Sequence, residues 1–245
     1  MNKVDILNTK VNNYTMLETL QLIEGAINNN KQIHHVVVNA GKIVDMQTDL
    51  QLRKSVNESD LINADGQAVV WASKLLGKPL KERVAGIDLM INLVQLAHEK
   101  NYKIFFFGAK EEVVKKVVET YSNKFSPNIV AGYRNGYFKK DEEHNIAKQI
   151  SDSGANILFV AISSPTKEHF LYENKSLLQN VNFVMGVGGS FDVVAGKVRR
   201  APLWMQKSGL EWFYRFLQEP KRMWKRYLVG NTKFLLLVFK EKFKR

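Results

Sequence analysis

Short, unbroken apolar runs alternate with helix-periodic segments through most of this chain, and that rhythm leaves few folds open. The runs are His35-Val36-Val37-Val38-Asn39, then residues 61–66, 103–109, 128–130, 156–162 and 181–187. Between them lie segments of helical period. One covers 68–76 and stops at Gly77. Another is capped by Asp88 and carries Ile91, Leu93, Val94, Leu96 and Ala97 on one face. Two more cover 111–121 and 141–154. A strand that is apolar on both sides must be covered on both faces, and helical crossovers make successive strands parallel. The expected fold is therefore α/β, a Rossmann-like, mostly parallel sheet with helices on both faces.

The rhythm stops near Arg199-Arg200-Ala201-Pro202, where a helical, basic pattern takes over. This places an α/β domain over 1–196 and a helical appendage over 197–245. The appendage holds 14 Lys and Arg against Glu211, Glu219 and Glu241, so it carries +11 of the chain's formal +12. It also holds Trp204, Trp212 and Trp224, three of the four Trp. Pro220 suits the first position of a helix. Beyond it Lys221, Arg222, Lys225 and Arg226 form one face, and Met223, Trp224, Tyr227 and Leu228 the adjacent one. Cations interleaved with aromatic residues suit an anionic bilayer surface better than a duplex. The longest apolar run of the tail, from Phe234 to Phe239, is far short of the roughly 20 residues that span a bilayer, so the contact expected is peripheral. An apolar face that leaves the membrane also invites self-association.

With no Cys, the chain has no disulfide framework and no thiolate ligand or nucleophile. The opening Met1-Asn2-Lys3-Val4-Asp5 has no apolar signal core, which points to the cytoplasm. The five His do not group as metal ligands, since His34 and His35 point to opposite faces of a strand. There is no Asp-x-Asp to hold a divalent metal on a nucleotide diphosphate.

Ligands of open α/β sheets bind beyond the carboxyl ends of the strands. Those ends are Asn39, Asp65-Gly66, Gly108-Ala109, Ser163-Ser164-Pro165 and Gly186-Val187-Gly188-Gly189. Glycine turns that lead into helices present free N–H groups to phosphate, but their spacing matches neither the Walker pattern nor G-x-G-x-x-G. Asp65 is the best-placed general base, although Asp-Gly is also an ordinary turn. Arg83 reads equally as a loop charge, Glu168 as a residue that suits a helix start, and Asp192 as a ribose partner or a helix cap.

Several stretches together resemble the WecG/TagA/CpsF family of bacterial glycosyltransferases (glycosyltransferase family 26). They are Asn63-Ala64-Asp65-Gly66, the segment from Gly132 through Gly136-Tyr137-Phe138, residues 186–196, Arg200-Ala201-Pro202, and Gly209-Leu210-Glu211-Trp212 through Glu219-Pro220 to Arg226-Tyr227. They run in order over about residues 35–230. The resemblance implies an inverting, metal-independent transfer from a UDP-sugar to a polyprenyl-diphosphate-linked sugar at the cytoplasmic membrane face, with no cofactor. It implies Asp65 as base, Asn39 in the active site and Arg83 near the donor. Gly108, Tyr137, Gly186, Gly188 and Asp192 then fall to the UDP-sugar, and Arg215, Arg222 and Arg226 to the acceptor diphosphate and the membrane.

Two positions depart from the family pattern, Val37 where Thr is common and Lys167 where Gln is. A cation at 167 points to an acidic donor sugar such as UDP-glucuronate. The rival readings are a non-enzymatic nucleic-acid- or membrane-binding protein, argued against by the absence of a reading motif, and a nucleotide-dependent oxidoreductase, argued against by the missing dinucleotide fingerprint.

Overall fold

The structure is a computed structural model that describes residues 3–244, without the side chains of Arg222, Lys225 and Arg226. Its centre is a six-stranded parallel sheet of β3 (Ile33–Val38), β4 (Leu61–Ala64), β5 (Ile104–Gly108), β6 (Val130–Arg134), β7 (Ile157–Ala161) and β8 (Phe183–Gly186), in the order β4-β3-β8-β7-β5-β6. A small antiparallel hairpin of β1 (Lys3–Ile6) and β2 (Thr9–Asn12) precedes it. Its turn places Leu7 and Asn8 at φ 51° and 62°, left-handed at both positions as a tight hairpin requires.

Phe105, Phe106 and Phe107 show why these strands read as continuous apolar runs. All three are buried, yet Phe106 packs into one core layer and its two neighbours into another. The first layer is covered by α1 (Met16–Asn28), α5 (Gly86–Lys100), α6 (Glu111–Lys124) and the short α9 (Ser190–Val194). The opposite face is covered in part by α7 (Glu143–Asp152) and α8 (Thr166–Glu173). The rest of that face lies under α2 (Ala40–Asp45), α3 (Leu50–Asn57) and α4 (Gln67–Leu75). Helices therefore lie on both faces, as the alternation predicts.

Two local expectations change. Asp88 does not cap α5, which starts at Gly86 behind Ala85; its carboxylate is engaged elsewhere, as described below. The segment around 128–130 opens with a 3-10 turn at Pro127–Ile129, and the strand runs from Val130 instead.

From Leu203 on the tail is a string of short helical segments, α10 (Leu203–Lys207), α11 (Glu211–Gln218), α12 (Pro220–Trp224), a π-turn at Lys225–Val229 and the longer α13 (Gly230–Phe243). Its last helix returns to the sheet, where Phe234 and Val238 are buried in the core layer of α2 and α4. The expected stripe of Met223, Trp224, Tyr227 and Leu228 is divided. Met223 is buried, and Tyr227 packs against Trp212 with ring centroids 5.6 Å apart; Trp224 and Leu228 are exposed. Among the described residues no helix is long and apolar enough to cross a membrane.

Candidate active site

The site is built at the carboxyl ends of β3 and β4. Asn39 follows β3 and caps α2, its Oδ1 accepting the Lys42 N–H at 3.0 Å. Asp65 follows β4; its N–H donates to the Val38 carbonyl at 2.9 Å, and its Oδ1 accepts the Gly86 N–H at 2.9 Å. A Cβ on Gly66 would stand 3.2 Å from that of Asn39, so the two strand ends meet side by side. The loop between α4 and α5 closes over them. Its Val84 N–H donates to the Ala64 carbonyl, and a Cβ on Gly86 would rest 3.5 Å from Val37. This loop carries Arg83, whose Nη1 donates to Glu211 Oε2 at 3.2 Å. The loop that carries Arg83 is thus tied to the end of β4 through Val84, and the first residue of α5 orients the Asp65 carboxylate.

The second part lies where the chain leaves β5 toward β6 and β7 toward β8, a point where adjacent connections diverge and where open α/β sheets take their ligands. Gly108 has φ 117°, and a Cβ there would sit 2.6 Å from the Ala161 backbone. Only glycine fits such a close crossing. The Ala109 N–H donates to Ala161 O, and the Gly136 N–H donates to Ala109 O, which knits the ends of β5, β6 and β7 together. Tyr137 follows Gly136 and is 67% exposed.

The third part is the turn after β8. Gly188 takes φ 53°, and a Cβ on Gly189 would stand 2.8 Å from Arg215 Nη2 and 3.8 Å from Asp192 Oδ2. An arginine of the basic tail thus lies directly on the glycine turn after β8, beside Asp192. Of the expected appendage arginines, Arg215 is brought to the strand ends; the side chains of Arg222 and Arg226 lie outside the described residues.

Lys167 corrects an expectation. Its Nζ is buried and paired with Glu168 Oε1 at 2.9 Å, and the same oxygen accepts from Lys42 Nζ at 2.7 Å. Burial raises the Glu168 pKa, but the two lysines outweigh it and hold the group down to about 2. The aliphatic stem of Lys167 lies over Gly186, where a Cβ would meet its Cδ at 2.8 Å. With its ammonium buried against the Glu168 carboxylate, Lys167 is not an open cation offered to a uronate.

Reading the residues in order missed the ion pairs that join distant segments. Arg200 grips Asp88 with both terminal nitrogens, at 2.5 and 2.8 Å, and gives its Nε to Glu211 Oε1 at 3.2 Å. Lys42 also donates to the Val37 carbonyl at 2.8 Å. No local pattern signals such pairs; the only hint was that Arg200 and Glu211 lie in segments shared with a known family. Among the described residues no group of three His, Asp or Glu side chains could hold a metal ion.

Likeness to known proteins runs through nearly the whole chain. A model of the glycosyl transferase WecG/TagA/CpsF family matches residues 4–245. The chain is 34% identical over 241 residues to an N-acetylglucosaminyldiphosphoundecaprenol N-acetyl-beta-D-mannosaminyltransferase of Bacillus spizizenii, covering 98% of this chain and 90% of that protein. A Bacillus subtilis protein of the same name is 41% identical over 187 residues, 76% of this chain and 71% of its own. One from Staphylococcus aureus is 34% identical over 223 residues, 90% and 87% of the two chains. The sugar in these names is N-acetylmannosamine, which carries no carboxylate. Together with the buried Lys167–Glu168 pair, this overturns the expectation of glucuronate as donor sugar.

Proposed function

The chain belongs to the WecG/TagA/CpsF family of glycosyl transferases, and on that premise we propose that it transfers N-acetylmannosamine from UDP to N-acetylglucosaminyl-diphosphoundecaprenol. The observation that carries this reading is the junction of Asp65, Asn39 and Arg83 at two adjacent strand ends, in a chain that aligns over 98% of its length with a transferase of that name.

The chemistry follows from the parts. The Asp65 carboxylate takes the proton of the acceptor hydroxyl as that oxygen attacks the anomeric carbon opposite UDP. One displacement inverts the anomeric centre. The leaving diphosphate gathers charge, which fixed cations and N–H groups stabilise best when they are already in place. Arg83 and Arg215 supply the cations, and the Gly188-Gly189 turn the N–H groups. Tyr137 and Asp192 border the space for the nucleotide, and Gly108 and Gly186 shape its floor by letting Ala161 and Lys167 pack closely on them.

The acceptor's lipid sets the location. The enzyme works as a peripheral protein on the cytoplasmic face, docked by its basic appendage with Trp204, Trp224, Leu236 and Phe239 exposed toward the bilayer. Arg222 and Arg226 then serve the acceptor diphosphate or the lipid surface.

The test is UDP release and product mass with a short-chain N-acetylglucosaminyl-diphosphate lipid and a panel of UDP-sugars. Turnover with UDP-N-acetylmannosamine well above that with UDP-N-acetylglucosamine, UDP-glucose and UDP-glucuronate is expected. Preference for any of the other three would refute the donor assignment.

A further inference from the structure

Four charged groups from four separate segments form an alternating chain between the two parts of the molecule. Asp88, in the first turn of α5, accepts both terminal nitrogens of Arg200. Arg200 gives its Nε to one oxygen of Glu211, and Arg83 gives Nη1 to the other. None of the four is fully open to solvent; the Arg83 side chain is 17% exposed and that of Glu211 26%. Arg200 therefore spans two carboxylates, and Glu211 is shared by two guanidiniums.

The backbone around Arg83 is fixed independently of its side chain. Val84 N–H is bonded to the end of β4 and Gly86 N–H to Asp65 itself. What remains to be set is the guanidinium, a long group with several rotamers whose ordering costs entropy. Glu211 sets it. Its own place is given by α11, where an acid in the first turn also suits the helix dipole, and by Arg200, which ties α11 to α5.

We propose that Glu211 is a positioning residue that holds Arg83 in its donor-facing orientation, so that docking of the appendage and readiness of Arg83 are one event. This extends the reading that Arg83 contacts the donor's diphosphate. The appendage then contributes an acid as well as its cations. An arginine held in advance binds a diphosphate without the loss of rotamer freedom, and small misplacements of such groups are expensive in rate.

The experiment is a double-mutant cycle on the full chain with Arg83→Gln and Glu211→Ala. It is read as UDP affinity by calorimetry and as transfer rate on anionic vesicles that contain acceptor. Glu211→Ala alone should lower both by about 10-fold, the usual scale for an outer residue that orients a ligand-binding group. In the Arg83→Gln background it should cost clearly less, since only its contact with Arg200 is then left to lose. Multiplying losses would overturn the proposal, since a purely structural contact acts whether or not Arg83 is present. Glu211→Gln, which keeps the shape and a hydrogen-bond acceptor, should fall between wild type and Glu211→Ala. Tighter UDP binding in that variant would also overturn the proposal, because it would mean that Glu211 restrains Arg83 instead of presenting it. If wild type transferred none of the UDP-sugars, the donor assignment would fall, and the cycle in UDP affinity would still decide the role of Glu211.

Discussion

Asp65 is a carboxylate with one oxygen committed. Its Oδ1 holds the Gly86 N–H, which fixes the plane of the group and leaves Oδ2 to take a proton. Asp65→Asn keeps the same size and an acceptor at Oδ1, so UDP affinity should stay within about twofold while transfer falls a hundredfold or more, the contribution of a general base. Wild-type turnover in that variant would remove Asp65 from the mechanism. Glu168 makes a different argument. Two buried lysines share its Oε1, and removing its charge strands both of them. Glu168→Gln should cost about 3–5 kcal/mol of stability in urea unfolding, the scale for breaking a buried pair. A loss below about 1 kcal/mol would show that solvent reaches the lysines. At this scale Asp65 was legible because a strand end followed by Gly is a local pattern. Glu168 was not, since the residue that neutralises it with Lys167 is Lys42, 126 positions away in sequence. A lysine seen without its counter-ion invites an anionic ligand, and that is how Lys167 misled.

The strands and their helices were legible for the same reason that the sheet is stable: each strand is apolar on both sides and each helix on one. The β1–β2 hairpin was not, because Leu7 stands at a left-handed position where a turn signal would call for Asn or Gly. Helix α13 was legible as a helix but not in its placement. The run from Phe234 to Phe239 is apolar all round, and such a run does not reveal which residues face protein. The structure divides it, with Phe234 and Val238 inside the core and Leu235, Leu236 and Phe239 outside. Phe234→Ala should therefore cost about 3–5 kcal/mol, as other large-to-small core changes do. Leu236→Ser with Phe239→Ser should leave the unfolding midpoint nearly unchanged while reducing sedimentation with anionic vesicles. If the double surface variant bound vesicles as wild type does, this face of α13 would not touch lipid. Truncation near residue 196 is a poor test of docking, because it also removes Phe234 and Val238 from the core.

For the molecule as a whole, the charge partition and the buried groups act in separate places. The excess positive charge sits in the tail, while strand β3, inside the sheet, holds two histidines that burial keeps neutral. His34 lies on one face of β3, where burial lowers its pKa to about 4, helped by the Lys175 and Lys42 charges and opposed by Asp60 and Glu168. His35 lies on the other, hydrogen-bonded to Asn63 at 2.9 Å, and burial lowers it to about 3. In the unfolded chain both titrate near 6.5. Between pH 6.5 and about 4 the unfolded state therefore binds protons that the folded state refuses, and stability falls with pH. The slope is about 1.4 kcal/mol per pH unit for each histidine. Glu168 works lower down: its folded value near 2 against 4.5 means that its contribution is complete above 4.5 and is lost only as pH falls toward 2. The two windows can be separated by urea unfolding between pH 7.5 and 4.5. Wild type should lose stability steadily below pH 6.5, and His34→Gln with His35→Gln should flatten that slope whatever its absolute stability. An unchanged slope in the double variant would mean that both histidines accept protons in the folded protein, and that strand β3 is open to water.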